Sequence, residues 1–303
     1  MGNTQYHKLC LVGRIPHTPL AVKDIKYLAL GAGSIRGIAL IGAYKALLDK
    51  GLQKPLGIAG SSVGAMIAVA IAVGLQPTEM KEMITFPDYR KVNTNYKWFI
   101  SCGKLSYIDP TPLKQELDKM LIRHGVNPKI TFKQFLKKTG VDIRIVAYNI
   151  KTNKSETFSA ANTPDNEVIG ATMASGSMPI VFPPSRQLTP DKTIGCYVDG
   201  AVKVEIPFHE FPANSTLGLY LFDKYRLRTI GTNFFTPLTN LQKDHIISID
   251  VSRVGALQLS PTQPMVNWLY NQGLNGITNY YNKKKIQIGK TAYKAADVPG
   301  FTR

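Results

Sequence analysis

Two short passages constrain the fold of this chain more than its length or composition does. Residues 25–40 read IKYLALGAGSIRGIAL, and residues 56–70 read LGIAGSSVGAMIAVA. Each begins as a short apolar run consistent with a buried strand, passes a glycine-rich turn, and enters an apolar segment of helical length. In the first, Ile38, Ile41, Leu47 and Leu48 fall near helical spacing, and Gly51 stands where a helix C-cap is expected. The second segment is apolar on all sides, so that helix should be buried. Further strands are expected at VDIRIVAYNI (141–150), IGCYVDG and TLGLYLFD, and NEVIGATMASGSM predicts a helix stopped by Pro179. Strands alternating with helices build a layered α/β fold on a largely parallel sheet.

At 303 residues, 44% of them apolar, the chain can bury the core of one large domain. Residues 1–24 read as a polar, proline-punctuated lead-in and residues 25–225 as the core. Residues 226–303 read as a less periodic extension packing on the same domain. The stretch 76–140 reads as helical, irregular and lysine-rich.

A glycine turn between strand and helix usually faces something negative. A dinucleotide site would need an acidic residue at the end of the second strand, and that strand ends at Gly60 and Ser61. A P-loop would need Gly-Lys-Ser/Thr, which the turn lacks. Two readings remain: glycines that only allow tight strand–helix packing, or an anion site of backbone amides at Ala32, Gly33 and Ser34, suited to a transient oxyanion.

The second turn contains Gly60-Ser61-Ser62-Val63-Gly64, a G-x-S-x-G between strand and helix, from which the central serine projects. A serine hydroxyl needs a base. Two are open: His209, in the order Ser62, Asp199, His209 of an α/β-hydrolase triad, or Asp199 directly. Asp199 is followed by Gly200 straight after a strand, and a carboxyl desolvated there can take the proton itself.

Three separated blocks make the chain similar to the patatin-like phospholipase family. GAGSIRG, Gly31 to Gly37, resembles the family's glycine-rich oxyanion loop; GSSVG resembles its nucleophile elbow; and VDGAV resembles its Asp-Gly turn. ATMASGSMPIVFPP looks like the helix and Pro-rich segment before that turn. The resemblance covers about two thirds of the chain. It implies a three-layer α/β/α fold with a largely parallel central sheet. It also implies a lipid acyl hydrolase of phospholipase A or lysophospholipase type, working through a Ser62–Asp199 dyad and an acyl-enzyme. Amides of Gly33, Ser34 and Val63 would form the oxyanion hole, supported by Gly31, Arg36, Gly37, Gly60, Gly64 and Gly200. Arg36 would orient the loop, meet a lipid phosphate, or pair with a structural carboxylate. No cofactor or metal, calcium included, is implied. Ala32, Ser34 and Ala201 stand where the family often has glycine.

Charge narrows the partners. Thirty-seven Lys+Arg against 20 Asp+Glu give +17, which suits an anionic membrane surface or a nucleic acid. No recognition helix or stacking platform is evident, so specific nucleic-acid binding is not expected. The rival is a non-catalytic basic membrane- or nucleic-acid-binding protein; Ser62, Asp199 and Arg36 occurring together argue against it. Lys283-Lys284-Lys285 would meet an anionic bilayer with Trp268, Tyr270, Tyr280 and Tyr281 at headgroup level, or form a solvated face with those aromatics in the core. The phospholipid or other lipid ester is the expected substrate, with an activating protein partner left open. Cys10, Cys102 and Cys196 are odd in number and far apart, which suggests neither a zinc site nor a disulfide framework, and mildly a reducing compartment. The first twenty residues lack a signal-peptide apolar region, and Tyr6 argues against myristoylation of Gly2. The longest apolar run, Val63 to Leu75, is too short to span a bilayer. The expectation is a cytoplasmic protein, peripherally membrane-associated.

Overall fold

The computed structural model describes residues 19–85, 99–101, 104–106, 108–223, 244–255, 258 and 260–282. The first unit is strand β1 (Tyr27–Leu30), a 3-10 turn (Ser34–Gly37) and helix α1 (Ile38–Asp49). The second is β2 (Gly57–Ser61) and α2 (Val63–Ala72), every residue of which is buried. Helix α3 (Pro77–Thr85) follows. Next come an antiparallel pair, β3 (Phe99–Ser101) and β4 (Lys104–Ser106), then α4 (Thr111–Arg123) and α5 (Phe132–Thr139). Strands β5 (Asp142–Asn149) and β6 (Lys154–Phe158) precede α6 (Val168–Ser175). The chain then forms β7 (Ser185–Leu188), β8 (Ile194–Asp199), β9 (Thr216–Phe222), β10 (Ile246–Asp250) and α7 (Gln263–Asn282).

The sheet is mixed. Strands β10, β9, β1, β2 and β5 pair in parallel in that order, while β6, β7 and β8 run antiparallel to their neighbours. Parallel strands covered by helices read as continuous apolar runs, and β1 and β2 do so here. One apolar cluster, from Leu20 through Ile277, joins sheet and helices into a single core.

The register on β5 decides where the chemistry sits. Strand β2 pairs with it up to Ser61 opposite Val146, and β8 arrives from the other direction with Asp199 opposite Ala147. Strand β6 occupies the other edge over Ile145–Asn149, so β2 and β8 abut end to end along one edge. Their last residues are brought together by two consecutive residues of one strand.

Several elements depart from the sequence reading. Helix α6 stops at Ser175, before Gly176, rather than at Pro179. The region 76–140 contains the β3–β4 pair as well as helices. Beyond residue 226 lie β10, which extends the sheet, and a 20-residue helix, α7, packed on α1. Its stripe was hidden because one core position is Gly273, with Val266, Leu269 and Ile277 the others. The glycine is there because the backbones nearly touch: a Cβ on Gly273 would meet the Ala39 carbonyl, and one on Gly42 the Tyr270 carbonyl.

The aromatic residues of α7 lie against the core. Trp268, Tyr270, Tyr280 and Tyr281 pack half-buried on the main core, with Tyr281 Oη donating to the Leu20 carbonyl at 2.8 Å. They brace the helix. Lys283–Lys285 lie outside the described residues. Cys196, fully buried in β8, is disulfide-bonded, where the sequence indicates no disulfide framework. No helix among the described residues is long and apolar enough to cross a membrane.

Candidate active site

Ser62 stands at the carboxyl end of β2, where the chain reverses into α2. Its backbone has φ 56° and ψ −126°, a combination L-residues rarely adopt. The approach to β1 is so close that a Cβ on Gly64 would collide with the Leu30 carbonyl at the end of that strand. The reversal lifts the side chain out of the sheet, and Ser62 Oγ donates to Asp199 Oδ2 at 2.6 Å.

Asp199 closes β8 and caps the 3-10 turn Gly200–Val202, its Oδ1 accepting from the Ala201 amide at 2.8 Å. The carboxyl is only 5% exposed. Burial pushes its pKa up from 3.8 to about 6, against the hydrogen bonds from Ser62 and Ala201, which pull it down. Such a group holds a proton far more readily than a surface aspartate and still ionises near neutrality.

The loop after β1 forms the opposite wall. The amides of Gly31 and Ala32 donate to the carbonyls of Leu219 and Glu205, anchoring the loop to its neighbours. Ser34, at φ 55°, starts the 3-10 turn, and Val63 starts α2. First residues of helical segments have amide N–H groups outside the helical ladder. The left-handed backbone of Ser34 is one where glycine would carry no strain.

Arg36 turns inward. It is 8% exposed, with Nε donating to the Gly33 carbonyl at 3.1 Å and a guanidinium nitrogen 2.7 Å from Asp223 Oδ2. Of its three open roles, the structure gives loop orientation and a carboxylate partner. Asp223 was not visible as a partner in the sequence, which offers no local signal linking residues 187 apart. Replacing Arg36 with methionine removes the guanidinium that bonds both the Gly33 carbonyl and Asp223 in a poorly hydrated site. The expected loss is about 3 kcal/mol of stability, read from the denaturant midpoint.

Ser34, Ser62 and Val63 line one cleft together with Ile35, Met66, Met83, Leu113, Leu117, Met178 and Phe182. Its cavity is about 60 Å³ and its walls are mostly apolar. Among the described residues, no histidine bonds to Ser62 or Asp199. His209 is half-exposed with Nε2 3.3 Å from Glu210 Oε1; His124 faces Glu79, and His245 bonds the Ala213 carbonyl. The triad ordering of Ser62, Asp199 and His209 is therefore not realised in space. Among the described residues no cluster of His, Cys, Asp or Glu is arranged to hold a metal ion.

Fold and site together define an α/β protein with its reactive groups in loops at the ends of sheet strands, where such folds place their ligands. The family model for patatin-like phospholipases matches residues 28–212, and the chain belongs to that family. The fold resembles that of VipD from Legionella pneumophila, with a TM-score of 0.60 at 16% identity over 92% of this chain and 73% of that one. It also resembles the ExoU–SpcU complex of Pseudomonas aeruginosa, with a TM-score of 0.51 at 18% identity over 86% of this chain and 52% of that one. Among curated proteins, "Probable lipid hydrolase 463L" of invertebrate iridescent virus 6 is 27% identical over 62% of this chain and 63% of its own length. The protein R571 of Acanthamoeba polyphaga mimivirus is 26% identical over 55% of this chain and 57% of its own length. The match thus spans less than two thirds of either viral relative.

Proposed function

We propose that the protein hydrolyses acyl esters of membrane lipids, as a phospholipase A-type or lysophospholipase enzyme. The observation that supports this most is the 2.6 Å hydrogen bond to a buried carboxyl from Ser62, which lines an apolar cleft. Ser62 Oγ attacks the ester carbonyl as its proton passes to ionised Asp199. Amides of Gly33, Ser34 and Val63 stabilise the tetrahedral oxyanion, each well-placed donor worth about 3 kcal/mol. Asp199 then returns the proton to the departing alkoxide, which leaves as alcohol or lysolipid. Water, deprotonated by Asp199, attacks the acyl-enzyme, and Ser62 recovers its proton as the fatty acid is freed.

The cleft suits an acyl chain. Its cavity of about 60 Å³ is far below the several hundred of a formed ligand pocket, so lipid entry must displace side chains. Met66, Met83 and Met178 line it, and methionine is the apolar side chain that repacks most easily. Met178 leads into Pro179 and Ile180, an exposed apolar tip beside the cleft, with Ile180 66% exposed. With a net charge of +17, that tip suits contact with an anionic bilayer and a peripheral location there.

The test is product analysis by mass spectrometry on vesicles with and without anionic phospholipid. Free fatty acid and lysolipid are expected, faster on anionic vesicles and slower as salt rises. His209→Ala should keep the rate within about twofold, since no step above uses that side chain. No released fatty acid, or a His209 variant without turnover, would overturn the proposal.

A further inference from the structure

The end of α6 touches both halves of the Ser62–Asp199 pair. Ser175, its last residue, is fully buried, and its Oγ accepts from the Ser62 amide at 2.8 Å. The same hydroxyl donates to the Val146 carbonyl at 2.6 Å. Two residues on, the Ser177 carbonyl accepts from the Asp199 amide at 2.9 Å. These bonds meet where β2 leaves the edge of β5 and β8 begins, because Val146 faces Ser61 and Ala147 faces Asp199.

At that junction the chain turns away from β5 with the unusual backbone of Ser62, and a single hydroxyl spans the gap to the Val146 carbonyl. A strained conformation persists only where its surroundings over-determine it. Loss of the hydroxyl would leave a buried amide and a buried carbonyl without this shared partner. We propose that Ser175 is a positioning residue, which holds the elbow so that Ser62 Oγ stays within hydrogen-bond reach of Asp199. The inference rests on the reading of Ser62 as nucleophile, yet its geometric part can be tested without turnover.

Thr172 supplies the control. It is a fully buried hydroxyl on the same helix, but it donates only to the Val168 carbonyl within that helix. Ser175→Ala and Thr172→Ala are compared with wild type, well below the melting temperature of each. Ser175→Ala should lower kcat on a soluble ester at least tenfold with KM within twofold, whereas Thr172→Ala should keep kcat. The acid limb of the pH profile should move upward in Ser175→Ala, because the Ser62 hydrogen bond that depresses the Asp199 pKa is weakened. Ser175→Thr, which retains the hydroxyl, should restore most of the rate.

Hydrogen exchange reads the positioning independently of catalysis. The peptide spanning residues 60–66 should exchange at least tenfold faster in Ser175→Ala and at the wild-type rate in Thr172→Ala. Wild-type protein that cleaves no ester but shows this exchange pattern overturns the functional reading and leaves the positioning standing. Equal exchange in the two variants, or equal loss of kcat, overturns the positioning role.

Discussion

Replacing Ser62 with alanine is expected to lower ester hydrolysis by about four orders of magnitude or more while the protein stays folded. The reason lies in the division of labour at the elbow. The hydroxyl supplies the bond to Asp199 Oδ2, whereas the turn itself is held by the Ser62 amide, the Ser175 hydroxyl and the packing of Gly64. Alanine removes the first and keeps the second. Glycine goes further: at φ 56° and ψ −126° an L-residue carries strain of about 1–3 kcal/mol, so Ser62→Gly should raise the melting temperature even as turnover disappears. Rates on a soluble ester, with melting curves on the same samples, check both. Turnover retained by purified Ser62→Ala would exclude the covalent mechanism.

Asp199→Asn should separate activity from stability along the pH axis. The carboxyl titrates near 6 in the folded protein against 3.8 as a free group, because burial disfavours its charge. Between those values the folded state holds more protons than the unfolded one, so this group's contribution to stability falls as pH rises. Below about 3.8 the carboxyl is neutral in both states and no penalty exists. Above about 6 it is ionised in both, and the full cost of roughly 3 kcal/mol is present. Asparagine carries no charge to bury. The variant should therefore be more stable than wild type at pH 8, with the gap closing towards pH 4. Catalysis runs the other way: wild-type kcat climbs as pH rises through about 6, since only the ionised carboxyl accepts a proton, and the variant loses turnover by at least a thousandfold. Denaturant titrations and pH–rate profiles measure the two halves. Parallel stability curves would mean that Asp199 is not desolvated, and an active variant would mean that it is not the base.

The legible parts of this protein share one property: their signals are local. A four-residue apolar run before a glycine turn announces β1, and the same pattern announces β2, because buried parallel strands need apolar residues on both faces. Helix α2 is plain for the same reason. The parts that escaped are those whose partner is remote. Strands β6 and β7 are half-exposed, so their composition is polar and unremarkable until β5 and β8 pair with them. Helix α7 escaped because Gly273 replaces an apolar side chain in its stripe, and the close approach that requires the glycine belongs to α1. Asp223, Ser175 and Ser177 are ordinary residues in sequence and acquire meaning only through Arg36, Ser62 and Asp199.

The amino-acid sequence by itself determined the α/β layering, the two glycine turns, and a serine and an aspartate each placed at a strand end. Those follow from apolar period and turn chemistry, which act over a few neighbouring residues. Tertiary structure alone decided that the two side chains meet, because residues 137 apart come together only through the register of β2 and β8 on one edge of β5. It also decided that the aspartate is desolvated, and that the histidine closest to it in sequence pairs with Glu210 instead. Register and burial are sums over distant contacts, and no local pattern encodes them.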